Sequence, residues 1–411
     1  MKKKFFKVIT REKALSLFEN IPLKEKERIK TKHSLGRISG CNVVSPCDVP
    51  NFDRSTMDGY AVIAEDTFGA TEETPISLTL QGEVIMGCET KERMQKGETI
   101  AIPTGGMLPQ GANAVVMIER TKKTERNILV KKSVAPMGNV VMKGSDIKKG
   151  DKLLDVGRRI RAQDIGVLFA CGITEIDVFK KPLVSIISTG DELVPSEKEP
   201  KLGEIRGINT YTLYTLTEKY GGEPVDFGIV KDSMSKLNES IKEGLSQSDI
   251  IVISGGSSVG TKDITLDCIS SFDDSKILTN GLALKPGKPT ILAMINNKPV
   301  LGLPGHPVSC MVIFYLIVRP LIFRMLSYKE GFEDKTIIKA KISQNIPSVS
   351  GREEYIRVSL KDKNGEMFAE PVPGGSSIIS SLSKSDGLVR IDLESEGIEK
   401  GKMVDVIISH F

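Results

Sequence analysis

Three short segments carry the residues best suited to chemistry: 250–260 (IIVISGGSSVG), 284–289 (LKPGKP) and 303–309 (LPGHPVS). A β-branched apolar run that ends in two glycines reads as a buried strand followed by a turn whose backbone can approach a ligand closely. The serines and lysines around it suit an oxyanion, so a phosphate-bearing ligand is expected. Gly255 and Gly260 have the spacing of a Walker A loop, but Thr261, Lys262 and Asp263 follow where Lys and then Ser or Thr are required, which argues against a P-loop NTPase. A bare glycine turn with no ligand is the alternative reading, and the two lysines and two Pro-Gly turns downstream weigh against it.

The elements that position these segments show in the periodicity. Residues 10–19 place Ala14, Leu15 and Phe18 on one helical face. From there to about 177, short alternating strands such as 76–80 and 114–118 are broken by many glycines and prolines, which reads as mostly β. From about 181 strands alternate with helices: a strand at 183–188, a helix at 210–220, a strand at 225–230, a helix presenting Met234, Leu237, Ile241 and Leu245, and a strand at 250–254. That alternation predicts a mostly parallel sheet with ligands at the carboxyl ends of its strands, where STGDEL (188–193), SGGSSVG (254–260) and LPGHPVS all fall. After about 330 the pattern returns to β, with a hairpin expected at Asn364-Gly365 and a small barrel or sandwich around it.

Composition bounds the rest. At 411 residues, two to four domains are expected. A net charge of +4, from 57 basic and 53 acidic residues, is too balanced for a nucleic-acid binder. The six cysteines, without a CxxC pair and with three histidines to help them, argue against a zinc site or a disulfide framework and fit a reducing cytoplasm. MKKKFFK is not followed by an apolar leader core, and the apolar run 310–318 is too short to cross a bilayer; it reads as a buried helix ending at Arg319-Pro320.

Together with 52–62 (FDRSTMDGYAV) and 103–105 (PTG), these motifs, in this order from about residue 8 to the C-terminus, resemble the molybdopterin molybdenumtransferase family, of which bacterial MoeA and the E domain of gephyrin are members. The resemblance implies a multidomain α/β plus β architecture: an N-terminal mostly β region over 1–178 with an inserted β subdomain at about 48–145, a central three-layer α/β molybdopterin-binding domain over 179–328, and a C-terminal β-barrel over 333–411. It implies transfer of molybdate onto adenylylated molybdopterin with release of AMP and use of Mg2+, an elongated homodimer, and an upstream adenylyltransferase that supplies the substrate. A tungstate-inserting paralogue and a non-catalytic binding scaffold are the alternatives.

Site residues carry over by motif. Lys285, Lys288, Ser309, Arg357 of GREEYIRV and Ser376 of GGSS match positions around molybdate, and cations with hydroxyls are what an oxyanion needs in place of water. The molybdopterin and AMP cradle is expected from Ser188, Thr189, Gly190, Asp191, Asp232, Ser254, Gly255, Gly256, Ser257, Ser258, Gly260, Pro304 and Pro307. Asp58, Thr104, Glu192 and Asp263 are the catalytic candidates, with Asp58, Glu192 and Asp263 also candidates for magnesium, which usually takes one or two carboxylates plus phosphate oxygens. Asp146 and Asp232 are acidic matches for which a turn-capping role is equally open. The chain departs from the family pattern at His306, where Asn is common, and at Val141-Met142, Gly207 and Gly281. Pro304 and Pro307 fix the turn that holds His306 near the oxyanion positions, where it gains a proton near neutral pH or serves only as a solvated or capping residue.

Overall fold

The computed structural model describes residues 8–255, 259–331 and 336–408. Three nested antiparallel pairs lead outward through the N-terminal region: Lys26–Lys30 with Glu175–Phe179, Val43–Val44 with Lys152–Leu154, and Arg54–Ser55 with Val140–Val141. They enclose a curled six-stranded sheet in the order Ala114–Met117, Gly59–Val62, Glu98–Ile102, Ile76–Glu83, Asn127–Val130 and Thr121–Lys123. Its strands alternate between two small cores, Ala61 and Val115 on one side, Val62 and Val116 on the other. The first helix is Arg11–Ser16, with Thr10 as its N-cap accepting from the Lys13 backbone and Ala14 buried beneath it.

The central sheet runs Glu223–Val230, Leu183–Thr189, Ile250–Gly255, Lys298–Pro304, Ile291–Ile295, Ser275–Asn280; the first four are parallel and Ile291–Ile295 is antiparallel to both neighbours. Alternate side chains of each strand enter opposite cores. Ile250 and Val252 pack with the helix Asn209–Lys219 and the apolar helix after Pro307, whereas Ile251 and Ile253 pack with Met234–Gln247 and Val259–Ser270. Burial on both faces explains why these strands read as unbroken apolar runs, and each fully buried Ile or Leu contributes about 1.5–3 kcal/mol.

The apolar helix departs from the sequence reading. It does not stop at Arg319-Pro320 but continues as Pro307–Ile313, a π-helical turn Phe314–Val318 and Arg319–Met325. Inside an α-helix Pro320 would lack a donor and collide with the carbonyl four residues earlier, in this case that of Leu316. The π-turn, which contains Leu316, widens the helix there. The buried Arg319 guanidinium donates from Nε to the Tyr315 carbonyl at 3.1 Å and lies 3.7 Å from the Tyr315 ring centre. Residues 307–325 are long and apolar enough to span a membrane, but 94% of that stretch is buried in the protein, so it is a core helix.

The C-terminal strands Glu353–Lys363, Glu366–Pro371, Ile337–Ile342, Met403–Ile407 and Gly387–Ile391 close into a barrel, the first pairing again with the last. Asn364 and Gly365, at φ of 57° and 83°, make the expected hairpin turn. A sixth strand belongs to the central domain: Leu284–Lys285 lies parallel to Glu353–Glu354 and joins the KPGKP turn to the barrel. The fold class expected from the resemblance is the one observed.

The KPGKP turn rests on the apolar helix. Gly287 has φ +117°, and a Cβ there would lie 2.3 Å from Cδ1 of the fully buried Ile313. Gly287→Ala is therefore expected to cost roughly 2–4 kcal/mol through backbone strain and overpacking, and to weaken oxyanion binding by displacing both lysines. Thermal melts and anion titration check it; an unchanged melting temperature would count against this packing.

Candidate functional site

Parallel pairing aligns the carboxyl ends of four strands: Val230 stands beside Thr189, Thr189 beside Gly255, and Gly255 beside Pro304. At this edge lies a cavity of about 490 Å3 lined by Ser188, Thr189, Glu192, Gly207, Asn209, Ser254, Gly255, Gly305, His306 and Pro307, among others, while Gly190, Asp191 and Asp232 are not on its wall. Gly256, Ser257 and Ser258 lie outside the described residues. Gly260 and Asp263 fall in the helix Val259–Ser270, and the Asp263 side chain is likewise outside what is described.

A second cavity, about 670 Å3, opens on the other side of the same turn, between the central domain and the barrel. Lys285, Lys288, Ser309, Arg357 and Ser376, drawn from four separate stretches of chain, all line it. So do His306 and Pro304, and His306 borders both cavities. Its Nδ1 is 2.8 Å from Ser376 Oγ, and the Val308 backbone donates to the Ser376 carbonyl at 3.1 Å, tying the LPGHPVS turn to the GGSS loop. His306 is at the N-cap position of its helix but makes no side-chain cap bond.

Arg357 donates to the Gly374 carbonyl, while its buried Nε has no hydrogen-bond partner; partial burial holds the guanidinium below its ordinary pKa. Arg352, which the sequence reading did not single out, also lines this cavity with a buried, unpartnered Nε. Donors left in that state cost free energy until an acceptor arrives, so both guanidinium groups suit an anion in the cavity. Among the cations, Lys285 has a carboxylate partner, Glu354, at 2.5 Å.

The smaller cavity is more neutral. The hydroxyls of Ser188 and Thr189 are buried and engaged, Ser188 with Thr210 at 2.6 Å and Thr189 with the Asp232 carboxylate. Asp232 is thus held as a structural acceptor, and its backbone N–H reaches Asp191 Oδ1 at 3.4 Å. Asn209 was missed in the sequence. Its Nδ2 donates to Ser254 Oγ at 2.7 Å and to the Gly305 carbonyl at 2.9 Å, joining two strand ends, while its buried Oδ1 has no partner. Cys310 beneath Ser254 is fully buried, which pushes its thiol up to about 12 and leaves it unreactive.

Glu192 lines the smaller cavity with an exposed carboxylate that makes no hydrogen bond or ion pair among the described residues. Asp58 and Thr104 meet each other in the inserted subdomain and line neither cavity. Asp58 Oδ1 accepts from the Thr104 backbone at 2.7 Å and its hydroxyl at 3.0 Å, bonds that lower the carboxyl pKa. Asp146 is exposed near the base of that subdomain, beside Val49. No cluster of three or more His, Cys, Asp or Glu side chains able to hold a metal occurs among the described residues. At the departures, Met142 is exposed, Gly207 leaves an apolar wall in which a Cβ would sit 3.0 Å from Ile229 Cδ1, and the Gly281 carbonyl accepts from Ile9 and Thr279.

A parallel α/β sheet whose strand ends open onto one cleft, joined to a cation-lined cavity that a β-barrel completes, defines a class of α/β-plus-barrel proteins with two adjoining cavities. Within that class the chain belongs to the MoeA family. Residues 9–172 match the MoeA N-terminal region (domain I and II), 185–324 a probable molybdopterin binding domain, and 339–408 the MoeA C-terminal region (domain IV). It is 37% identical to a putative molybdopterin biosynthesis protein of Methanocaldococcus jannaschii, covering 98% of this chain and 96% of that one. It is 33% identical to the molybdopterin molybdenumtransferase of a Nostoc species, covering 90% of this chain and 86% of that one. A crystal structure of a molybdopterin biosynthesis MoeA protein from Pyrococcus horikoshii superposes with a TM-score of 0.86 at 37% identity, over 98% of this chain and 99% of that one; a second does so at 0.84.

Proposed function

We propose that this protein is a molybdopterin molybdenumtransferase that inserts molybdate into adenylylated molybdopterin and releases AMP. The observation that carries the reading is the convergence of Lys285, Lys288, Ser309, Arg357 and Ser376 on one cavity that shares His306 with the strand-end cleft. Molybdate occupies the cation-lined cavity, and the pterin and nucleotide lie along the strand ends, so that the dithiolene reaches the oxyanion past His306. Lysine, arginine and hydroxyl donors replace the water that a dianion gives up.

Glu192 is the carboxylate on hand for Mg2+, since that ion takes few protein ligands when phosphate oxygens are present. Asp58 lines neither cavity of its own chain, and we assign it and Thr104 to the site of a second copy in a homodimer. Mixing Asp58→Asn with Lys288→Ala protein should then restore activity that neither has alone; no recovery in a verified mixed dimer removes that assignment. An adenylyltransferase must supply the substrate, and six free cysteines suit a cytoplasmic setting.

Titration with molybdate and with tungstate, each with and without adenylylated molybdopterin, tests the reading. Mo-dependent AMP release supports it; preference for tungstate favours the paralogue, and binding without turnover favours a scaffold.

A further inference from the structure

Among the described residues, one acidic group, Glu354, lines the larger cavity, where an anion binder would be expected to have none. Glu354 is 4% exposed, and both its carboxylate oxygens are engaged: Oε1 meets Lys285 Nζ at 2.5 Å and Oε2 accepts from Ser348 Oγ at 2.8 Å. The contact is set by backbone register, because the parallel rungs Leu284–Glu353 and Lys285–Glu354 place the lysine and the carboxylate side by side. Its neighbour Glu353 is used differently, accepting from the Tyr355 hydroxyl at 3.0 Å and lying 3.7 Å from Arg11 Nε. The adjacent carboxylates thus separate into a structural acceptor facing Arg11 and a counter-ion on the ligand cavity.

Glu354 does not help to attract a dianion. A buried carboxylate repels it and also reduces the charge that Lys285 presents. Lys288, Arg352 and Arg357 line the same cavity. We infer that Glu354 is a specificity-determining counter-ion that limits how tightly the cavity holds any tetrahedral dianion, so that the oxyanion can leave for the second substrate and abundant oxyanions such as sulfate are not trapped. This rests on the oxyanion reading of the cavity given above. The substrate-transfer logic is that a site which must hand over its ligand has to bind it well enough to fill, yet not so well that it stays.

Glu354→Gln tests this, since the amide keeps the shape, its oxygen can still accept from Lys285 and its NH2 can donate to the Ser348 hydroxyl, while the negative charge is removed. Calorimetric titration is expected to show molybdate and sulfate each binding about tenfold more tightly than to the unaltered protein, with a steeper dependence on salt and slower AMP release at saturating molybdate. Equal or weaker affinity for both anions would overturn the inference and leave Glu354 as a clamp that positions Lys285. A second comparison holds if the single variant folds poorly: Lys285→Gln should weaken molybdate binding, and adding Glu354→Gln to it should recover about tenfold, whereas a clamp with no lysine left to hold would recover nothing. Failure of the unaltered protein to bind molybdate would instead remove the oxyanion reading itself, so the two failures are told apart.

Discussion

Replacing Lys288 by alanine is expected to abolish molybdate-dependent cofactor formation while leaving the fold intact. Lys288 is exposed on the wall of the larger cavity, on a turn whose backbone is fixed independently by the Leu282 N–H donating to the Lys288 carbonyl at 3.0 Å. Truncating the side chain therefore removes a cation without creating a core void. A charge-assisted hydrogen bond to an anion is worth about 1.5–3 kcal/mol, or roughly 10- to 150-fold in affinity, and more in the transition state where the oxyanion is being transferred. Reconstitution of a molybdenum-dependent apoenzyme reads the activity, and a thermal melt reads the fold. Undiminished activity would take Lys288 out of the oxyanion site.

Glu192→Gln is expected to have the second largest effect. The carboxylate stands on the strand-end cleft with no partner among the described residues, so losing its charge leaves packing unchanged. A metal that neutralises phosphate oxygens contributes several kcal/mol to the transition state. The variant should bind adenylylated molybdopterin normally and release AMP about 100-fold more slowly at a fixed Mg2+ concentration. Single-turnover measurement of AMP across a magnesium titration checks this. Release at the unaltered rate, still dependent on magnesium, would make Glu192 a bystander.

What could be read from the sequence follows from the range of the interactions involved. The strand ends at Thr189, Gly255 and Pro304 were legible because apolar runs and glycine turns are local patterns, and the parallel sheet then puts those ends in one row. The meeting of Lys285 with Arg357 and Ser376 came only through family resemblance, because no periodicity links the KPGKP turn to a strand some seventy residues on. Glu354, Arg352 and Asn209 were missed for the same reason. Their roles depend on a two-residue rung between domains and on buried atoms that lack partners. Pro320 misled because proline punctuates helices locally, whereas this helix is held by tertiary burial on nearly every side and accommodates the ring with one widened turn. Asp58 and Thr104 were expected at the catalytic site from their motifs, and that they line neither cavity of their own chain could not be seen there.

The two walls of the larger cavity differ in how firmly they are built. Ser309 belongs to the buried helix that packs beneath the central sheet, and Ile313, one turn further on, supports the Gly287 turn. Opposite them, Gly374 and Gly375 are exposed and precede Ser376 in an irregular segment. Amide protons on the helix side can exchange with solvent only when much of the core opens, whereas those around 374–377 need only a local excursion. Deuterium uptake should therefore be slow along 311–318 and fast along 374–377, and oxyanion binding should slow the latter and not the former. The cavity is thus a fixed anvil with one yielding face.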